Sequence, residues 1–230
     1  MNLDQQTGKL SLVATPIGNL EDLTFRAVRT LQSADVIAAE DTRHARKLLQ
    51  HYEISKPLTA YHMHNEHKQT AKLLERVLHG EHVAMLTDGG TPCISDPGFL
   101  LVRSAVEMGI EPEVIPGPSA LIHAAVASGL PMHEFLFAGF LPPKGEKRRK
   151  RLGDLARRAQ TLIFYESPYR MERFLEDIVE TIGDNAKLVI VREATKHFEE
   201  RIRGTAGELK QRYAGTRWKG EITVVVHHSA

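Results

Sequence analysis

Thr87-Asp88-Gly89-Gly90-Thr91-Pro92-Cys93-Ile94-Ser95-Asp96-Pro97-Gly98 follows the apolar run Val83-Ala84-Met85-Leu86 and precedes the helix-patterned stretch from Phe99 to Met108. The order reads as a strand, a tight glycine-rich turn and then a helix. In α/β proteins ligands bind at such places, outside the carboxyl ends of the strands. Gly89, Gly90 and Gly98 permit positive φ and a close approach of backbone to ligand. Asp96 and Pro97 are the residue types favoured at a helix N-cap and first helical position, which predicts a helix beginning there.

The flanking sequence repeats the same alternation. Leu10 to Ala14 is a short apolar run broken by Thr15-Pro16-Ile17-Gly18-Asn19, and Leu23, Ala27, Val28 and Leu31 then recur at helical spacing. Val36 to Ala39 reads as a buried strand ending in Glu40-Asp41-Thr42-Arg43-His44, followed by a helix to about His51 and a short strand from Leu58 to Ala60. Glu66 to His79 is amphipathic and closed by Gly80, and Glu113 to Ile115 is a further strand. Strand–helix alternation implies a mostly parallel sheet. Pro116-Gly117-Pro118 marks a boundary. Beyond it Ser119 to Ala127 reads as a helix, and Phe135 to Phe140, Thr161 to Tyr165, Lys187 to Val191 and Ile222 to Val226 read as strands. A helix is expected from Ser167 and Pro168 to Gly183, and a short one from Ala206 to Tyr213. The expected fold is two α/β domains, residues 1–116 and 117–230, with a ligand cleft between them and some antiparallel pairing in the second.

Composition narrows the setting. A net charge of +1 carries no global attraction for nucleic acid, so any such partner must meet a local patch. Cys93 is the one cysteine, which excludes an internal disulfide and suits a reducing compartment. Met1 to Lys9 is polar and lacks the apolar core of a signal peptide. The longest apolar stretch, Leu121 to Leu141, is interrupted by His123, Pro131, His133 and Glu134 and does not read as a membrane span. A soluble, cytoplasmic protein without membrane contact is expected.

Neither GxGxxG nor GxxxxGK[ST] occurs, so dinucleotide and P-loop nucleotide sites lack support. There is no GxSxG, and Cys93 in a glycine-rich turn is more simply a small residue chosen for fit than a nucleophile. The run Tyr61-His62-Met63-His64-Asn65-Glu66-His67 is dense in histidine but lacks HExxH or a cysteine partner, so no metal site is assigned. Three clusters follow strands. Glu40-Asp41-Thr42-Arg43 either caps its helix or serves the cleft, and Tyr165-Glu166-Ser167-Pro168 poses the same choice, with Glu166 not explained by a helix start. Arg192, Glu193 and Lys196 read as a surface ion pair. The terminal His227-His228 reads as exposed chain. Between Lys144 and Arg158 stand eight Lys/Arg, six of them within Lys144-Gly145-Glu146-Lys147-Arg148-Arg149-Lys150-Arg151, against Glu146 and Asp154. That density suits phosphate contacts that position a nucleic acid without reading its sequence.

Five stretches taken together carry a resemblance: Val13 to Leu20, Ala39 to His44, Asp88 to Gly98, Pro116 to Ala120 and Phe164 to Pro168. They resemble the ribosomal-RNA-modifying branch of the tetrapyrrole-methylase-like (class III) S-adenosylmethionine methyltransferases, in order along nearly the whole chain. The resemblance implies 2′-O-ribose methylation of a cytidine in the decoding region of small-subunit (16S) ribosomal RNA, by a homodimer acting on that RNA or on the small ribosomal subunit. Carried over by motif, the S-adenosylmethionine site takes Pro16, Ile17 and Gly18 from the first turn and Asp88, Gly90, Thr91 and Ile94 from the turn quoted first. Ser119 and Ala120 follow from the inter-domain stretch, and Tyr165, Gly220 and Glu221 from the second domain. Family members commonly have Ala at the position of Gly89 and varied residues at that of Cys93. Many carry a further helical segment after the last strand, whereas this sequence ends at Ala230, so the basic run is the segment expected to dock RNA.

Methyl transfer from a sulfonium is an in-line displacement in which positioning supplies much of the rate, helped by a base for the hydroxyl proton. Glu166 and Asp41 are the candidate bases. Arg43, Lys144, Lys147, Arg148, Arg149, Lys150 and Arg151 are the candidate RNA contacts. The alternatives are a tetrapyrrole or protein acceptor on the same fold, and a ribosome assembly factor without catalysis.

Overall fold

A computed structural model describes residues 8–228, so the stretch Met1–Lys9 lies outside the described residues except for its last two positions. The chain forms two compact units that divide between Ser119 and Ala120.

In the first unit β1 (Lys9–Val13), β2 (Val36–Ala39), β3 (Leu58–Ala60), β4 (His82–Leu86) and β5 (Glu113–Ile115) form one sheet in the order β3-β2-β4-β1-β5. Every neighbouring pair is parallel. Parallel neighbours need crossovers, supplied by α1 (Phe25–Ser33), α2 (Thr42–His51), α3 (Glu66–Leu78) and α4 (Phe99–Glu107). Successive strand residues face opposite sides. Val13, Ile37, Ala39, Ala84 and Leu86 pack with α1 and α2, while Leu10, Leu12, Val36, Ala38, Val83 and Met85 pack with α3 and α4. Both faces are covered, which is why these strands read as unbroken apolar runs. The chain leaves β1 through α1 on one face and β4 through α4 on the other, in opposite directions along the sheet. β1 and β4 are neighbours, so a crevice opens between their carboxyl ends.

The second unit contains α5 (Ala120–Ser128), β6 (Leu136–Phe140), α6 (Gly145–Ala156), β7 (Thr161–Glu166), α7 (Met171–Thr181), β8 (Lys187–Arg192), β9 (Glu200–Thr205), α8 (Ala206–Arg212) and β10 (Ile222–His227). Its sheet has the order β6-β7-β10-β8-β9. Only β6 and β7 run parallel; the other three pairs are antiparallel. Leu162, Phe164, Leu188, Ile190, Val224 and Val226 pack beneath α6, α7 and α8, and Ile163, Val189, Val191 and Val225 beneath α5.

Several boundaries differ from expectation. α4 begins at Phe99 with Gly98 as N-cap, because the chain is still turning at Ser95 (φ 66) and Gly98 (φ 131). Asp96 and Pro97 therefore do not start it. α7 begins at Met171, and Ser167 and Pro168 belong to the turn before it. β9 was not expected: it is an edge strand of sequence ERIRGT in which only Ile202 is buried, so its apolar signal is a single residue. His227 is not loose chain, since it ends β10 and its Nδ1 lies 2.9 Å from Thr161 Oγ1.

Candidate active site

At the carboxyl edge of the first sheet the turn after β1 is joined to the turn after β4. The Thr15 N–H donates to Gly90 O (2.9 Å), the Gly90 N–H donates back to Thr15 O (3.0 Å), and Thr15 Oγ1 donates to Thr87 O (3.1 Å). This bridge lies over the crevice between β1 and β4. Gly90 sits at φ 90, where a Cβ would come within 3.6 Å of Ile17 Cγ2 and 4.0 Å of Pro118 O. Pro16, Ile17, Gly18, Asp88, Gly90 and Thr91 are thus brought to one place, beside the stretch after β5. Gly98 has a different reason: a Cβ there would meet Cys93 Sγ at 2.7 Å and Met85 Cε at 3.0 Å. Cys93 is used in packing, and burial pushes its thiol up, away from the thiolate a nucleophile needs. Cys93 (φ 72) and Ser95 (φ 66) hold left-handed backbone without being glycine, a strain of roughly 1–3 kcal/mol each that tends to mark functional sites.

Three carboxylates converge on this edge: Glu40 after β2, Asp88 after β4 and Asp96 in the long turn. Burial, then the charge of Asp88, pushes Glu40 up. Burial, with Glu40 and Asp88 adding to it, pushes Asp96 up to about 7. Among the described residues none of the three enters an ion pair; Asp88 Oδ1 accepts the Asp41 N–H at 3.2 Å. Next to Asp88 the Thr87 hydroxyl is buried without a hydrogen-bond partner, as is Nδ1 of His62, the imidazole beside Glu40. No set of three or more His, Cys, Asp or Glu among the described residues is disposed to hold a metal ion. Carboxylates gathered outside any ion pair, with the His62 imidazole beside Glu40, suit an organic cation. Small residues, exposed backbone and an orphaned hydroxyl surround them.

The two candidate bases fare poorly. Asp41 caps α2, accepting the Arg43 N–H at 2.8 Å, and forms a salt bridge with the Arg43 guanidinium at 2.8 Å. The side-chain hydrogen bonds from Arg43 hold its carboxyl well below the usual range, which makes it a weak proton acceptor. Glu166 is 2% exposed and lies on the strand face of Phe164, opposite to Tyr165. Its Oε1 accepts the Ser167 N–H (2.6 Å) and Arg170 Nη2 (2.7 Å), so it braces the turn into α7. Burial pushes it up, but it faces the helices and not the sheet's open edge. Asp96 is the third carboxylate at this edge, and helix capping alone accounts for it in the sequence. The signal present was its position in the same turn as Asp88, with Glu40 ending the adjacent strand.

In the second unit Tyr165 is half-buried against Phe137 (centroids 4.9 Å, edge to face) and Phe140 (5.8 Å). It pairs with Thr223, while the neighbouring pair Ile222–Glu166 sets Gly220 and Glu221 just beyond the same strand end. Ser119 and Ala120 are half-buried where the units divide, and Ile94 is exposed. The Glu221 N–H donates to Glu193 Oε1 (2.9 Å), and Lys196 Nζ contacts Glu193 (2.9 Å) and Glu221 (3.2 Å). Arg192 pairs instead with Glu200 at 3.1 Å.

The basic run folds as the first two turns of α6 and divides by helical phase. Arg148 points inward, 3% exposed, paired with buried Asp177, and donates Nη1 to Pro143 O at 3.3 Å. It is a structural residue and no RNA contact. Arg149 is half-committed, reaching Asp177 (3.2 Å) and Glu180 (3.5 Å). Lys144, Lys147, Lys150 and Arg151 are exposed.

A parallel sheet with a crevice of this kind, in a chain with a second sheet-based unit, defines a two-unit α/β protein. The chain belongs to the tetrapyrrole (corrin/porphyrin) methylase family, whose model matches residues 9–210. Its relatives include ribosomal RNA small subunit methyltransferase I of Xylella fastidiosa strain Temecula1, 47% identical over 97% of this chain and 82% of the relative. The protein of the same name from Thermotoga maritima is 45% identical over 95% of this chain and 98% of the relative. Uroporphyrin-III C-methyltransferase of Thermus thermophilus, solved in complex with S-adenyl homocysteine, superposes with a TM-score of 0.67 at 21% identity, covering 96% of this chain and 98% of that one. At that identity the likeness is one of fold.

Proposed function

We propose that the protein is an S-adenosylmethionine-dependent methyltransferase acting on small-subunit ribosomal RNA, at the ribose 2′-hydroxyl of a cytidine in the decoding region. The names of relatives that match almost the whole chain support the acceptor class. The observation that supports the donor is the gathering of Glu40, Asp88 and Asp96 at the strand-edge crevice, none of them in an ion pair given for the described residues. When bound, S-adenosylmethionine supplies a methyl group on a positively charged sulfonium. Pro16, Ile17, Gly18, Gly90, Thr91 and Ile94 offer it backbone and small or apolar contacts. Asp88 and Glu40 supply negative charge.

Asp96, unpaired and pushed up to about 7, accepts the proton that the ribose oxygen loses as it attacks in line. A group with that pKa is well matched to neutral pH. Arg43, Lys144, Lys147, Lys150 and Arg151 contact phosphates. The exposed apolar side chains Phe99, Val106 and Met108, with Val114 on edge strand β5, support a homodimer, which sedimentation tests directly. No helix among the described residues is long and apolar enough to cross a membrane.

The decisive experiment maps ribose methylation of small-subunit RNA after incubation with protein and S-adenosylmethionine, with assembled subunits and naked RNA as separate acceptors. A single new 2′-O-methylcytidine in the decoding region is expected. Donor binding by calorimetry without transfer to either acceptor overturns the RNA reading; no donor binding overturns the whole.

A further inference from the structure

One end of the second sheet is unlike the other. Phe140 ends β6 opposite Tyr165, Ile222 begins β10 opposite both Glu166 and Arg192, and Arg192 pairs with Glu200. Four connections therefore emerge side by side: those between β6 and α6, β7 and α7, β8 and β9, and α8 and β10. The first three display an aromatic ring to water. Phe140 is 55% exposed, Tyr169 94% and Phe198 69%. At the opposite end the exposed aromatic among the described residues is Phe135, at 37%. Water-exposed rings on three neighbouring connections point to a surface that meets a partner.

Charge indicates which partner. Lys144 and Lys147 after β6, Arg173 after β7, and Arg217 and Lys219 before β10 are exposed and enter no ion pair given for the described residues. The acids here are largely neutralised: Glu200 by Arg192, Glu221 and Glu193 by Lys196, and Glu199 by Arg201. Glu146 is exposed, and Glu172 accepts the Gly215 N–H at 3.0 Å. Cations with unshielded rings are what unpaired nucleotides require: phosphates meet the cations and bases stack on the rings.

The β8–β9 loop is braced to present its ring. Glu193 (φ 52) and Thr195 (φ 65) hold left-handed backbone. Glu193 Oε1 takes the Glu221 N–H (2.9 Å), and Glu199 Oε2 takes the Thr195 N–H (2.7 Å) while its Oε1 lies 3.3 Å from His123 Nε2. His197 packs edge to face on Phe198, with centroids 4.7 Å apart. Strands β7 and β8, whose following connections carry Tyr169 and Phe198, flank β10 and lie about 10 Å apart at two strand spacings.

We propose that this end of the second unit is a stacking surface for unpaired nucleotides of the RNA acceptor. Phe198 and Tyr169 are its base platforms, and Lys144, Lys147, Arg173, Arg217 and Lys219 are its phosphate contacts. The proposal rests on RNA being the acceptor, and it adds a second element to the basic helix α6.

The test is fluorescence anisotropy of a labelled single-stranded decoding-region RNA with the full protein and the variants Phe198→Ala, Tyr169→Ala, Phe198→Leu and Arg217→Ser/Lys219→Ser. Each alanine variant should weaken binding about tenfold, Phe198→Leu should do nearly the same because leucine has no π face, and thermal melts should stay as in the parent protein. The double charge variant should lower the magnitude of the salt slope by about 0.7 for each phosphate it no longer neutralises. Alanine variants that bind within twofold of the parent overturn the proposal, as does Phe198→Leu with full affinity. A shift from dimer to monomer in the Phe198→Ala/Tyr169→Ala protein assigns the surface to a second copy and also overturns it. If the parent protein binds and methylates no RNA, the acceptor reading itself fails and this surface falls with it.

Discussion

Replacing Arg148 by methionine should destabilise the second unit and leave RNA binding intact, although Arg148 lies in the middle of the most basic stretch of the chain. Its side chain is 3% exposed and that of Asp177 is 5% exposed. Breaking a buried pair by removing one partner costs about 3–5 kcal/mol, because the remaining charge is stranded away from water. Arg149 still reaches Asp177 at 3.2 Å but is 40% exposed, which places the expected loss near the low end, about 3 kcal/mol. For a chain of this size each kcal/mol shifts Tm by roughly 2–4 °C, so a fall of roughly 6–12 °C is expected by calorimetry. The neighbouring variant Lys147→Ser removes an exposed charge and should change stability by less than about 0.5 kcal/mol, while reducing the salt slope of RNA binding. Arg148→Met/Asp177→Leu removes both charges and should recover much of the lost stability. If Arg148→Met kept the parent Tm and lost RNA affinity, the inward assignment of this side chain would be refuted.

Asp96→Asn should flatten the pH dependence of donor affinity. With Asp96 up at about 7, the carboxyl is ionised above that pH and neutral below it, so parent affinity for a cationic donor should fall by up to about tenfold per unit below neutrality, as titration calorimetry from pH 8 to 5.5 would show. A flat parent profile would remove Asp96 from the donor's surroundings. The same raised carboxyl works against the fold once ionised, so stability should rise as pH falls from 8 towards 5, and Asp96→Asn should lose part of that rise in urea midpoints. Glu166→Gln should lower Tm and leave the pH profile of single-turnover methyl transfer in place, since Glu166 braces the turn into α7; a lost acid limb would restore it as the base. Gly98→Ala forces a Cβ to 2.7 Å from Cys93 Sγ at φ 131 and should cost about 2 kcal/mol or more in urea unfolding; an unchanged midpoint would show that the turn yields.

Much of the fold is written in local pattern. The apolar runs of β2 and β4, and that of β1 interrupted by Ser11, announce strands buried on both faces, and the glycine-bearing turns after β1 and β4 mark the edge of the proposed site, because backbone that must approach a ligand leaves few residue types to choose from. Strand β9 escaped because an edge strand with one buried residue has no such pattern. The starts of α4 and α7 escaped because Asp-Pro and Ser-Pro suit a turn as well as a helix N-terminus.

The sequence by itself determined the α/β organisation and the family, and marked the turns of the proposed site, all of which depend on spacing along the chain. Tertiary structure decided which charges remain available. Arg148 and Arg149 are adjacent in sequence, yet helical phase turns the first towards Asp177 and leaves the second partly in water. Strand alternation sends Glu166 to the face opposite Tyr165. Asp96, read locally as a cap, is pushed up first by burial and then by Glu40 and Asp88, which come together because β2 and β4 are neighbours in the sheet. Ionisation depends on distance through space and on exclusion of water, and neither is a property of the chain before it folds.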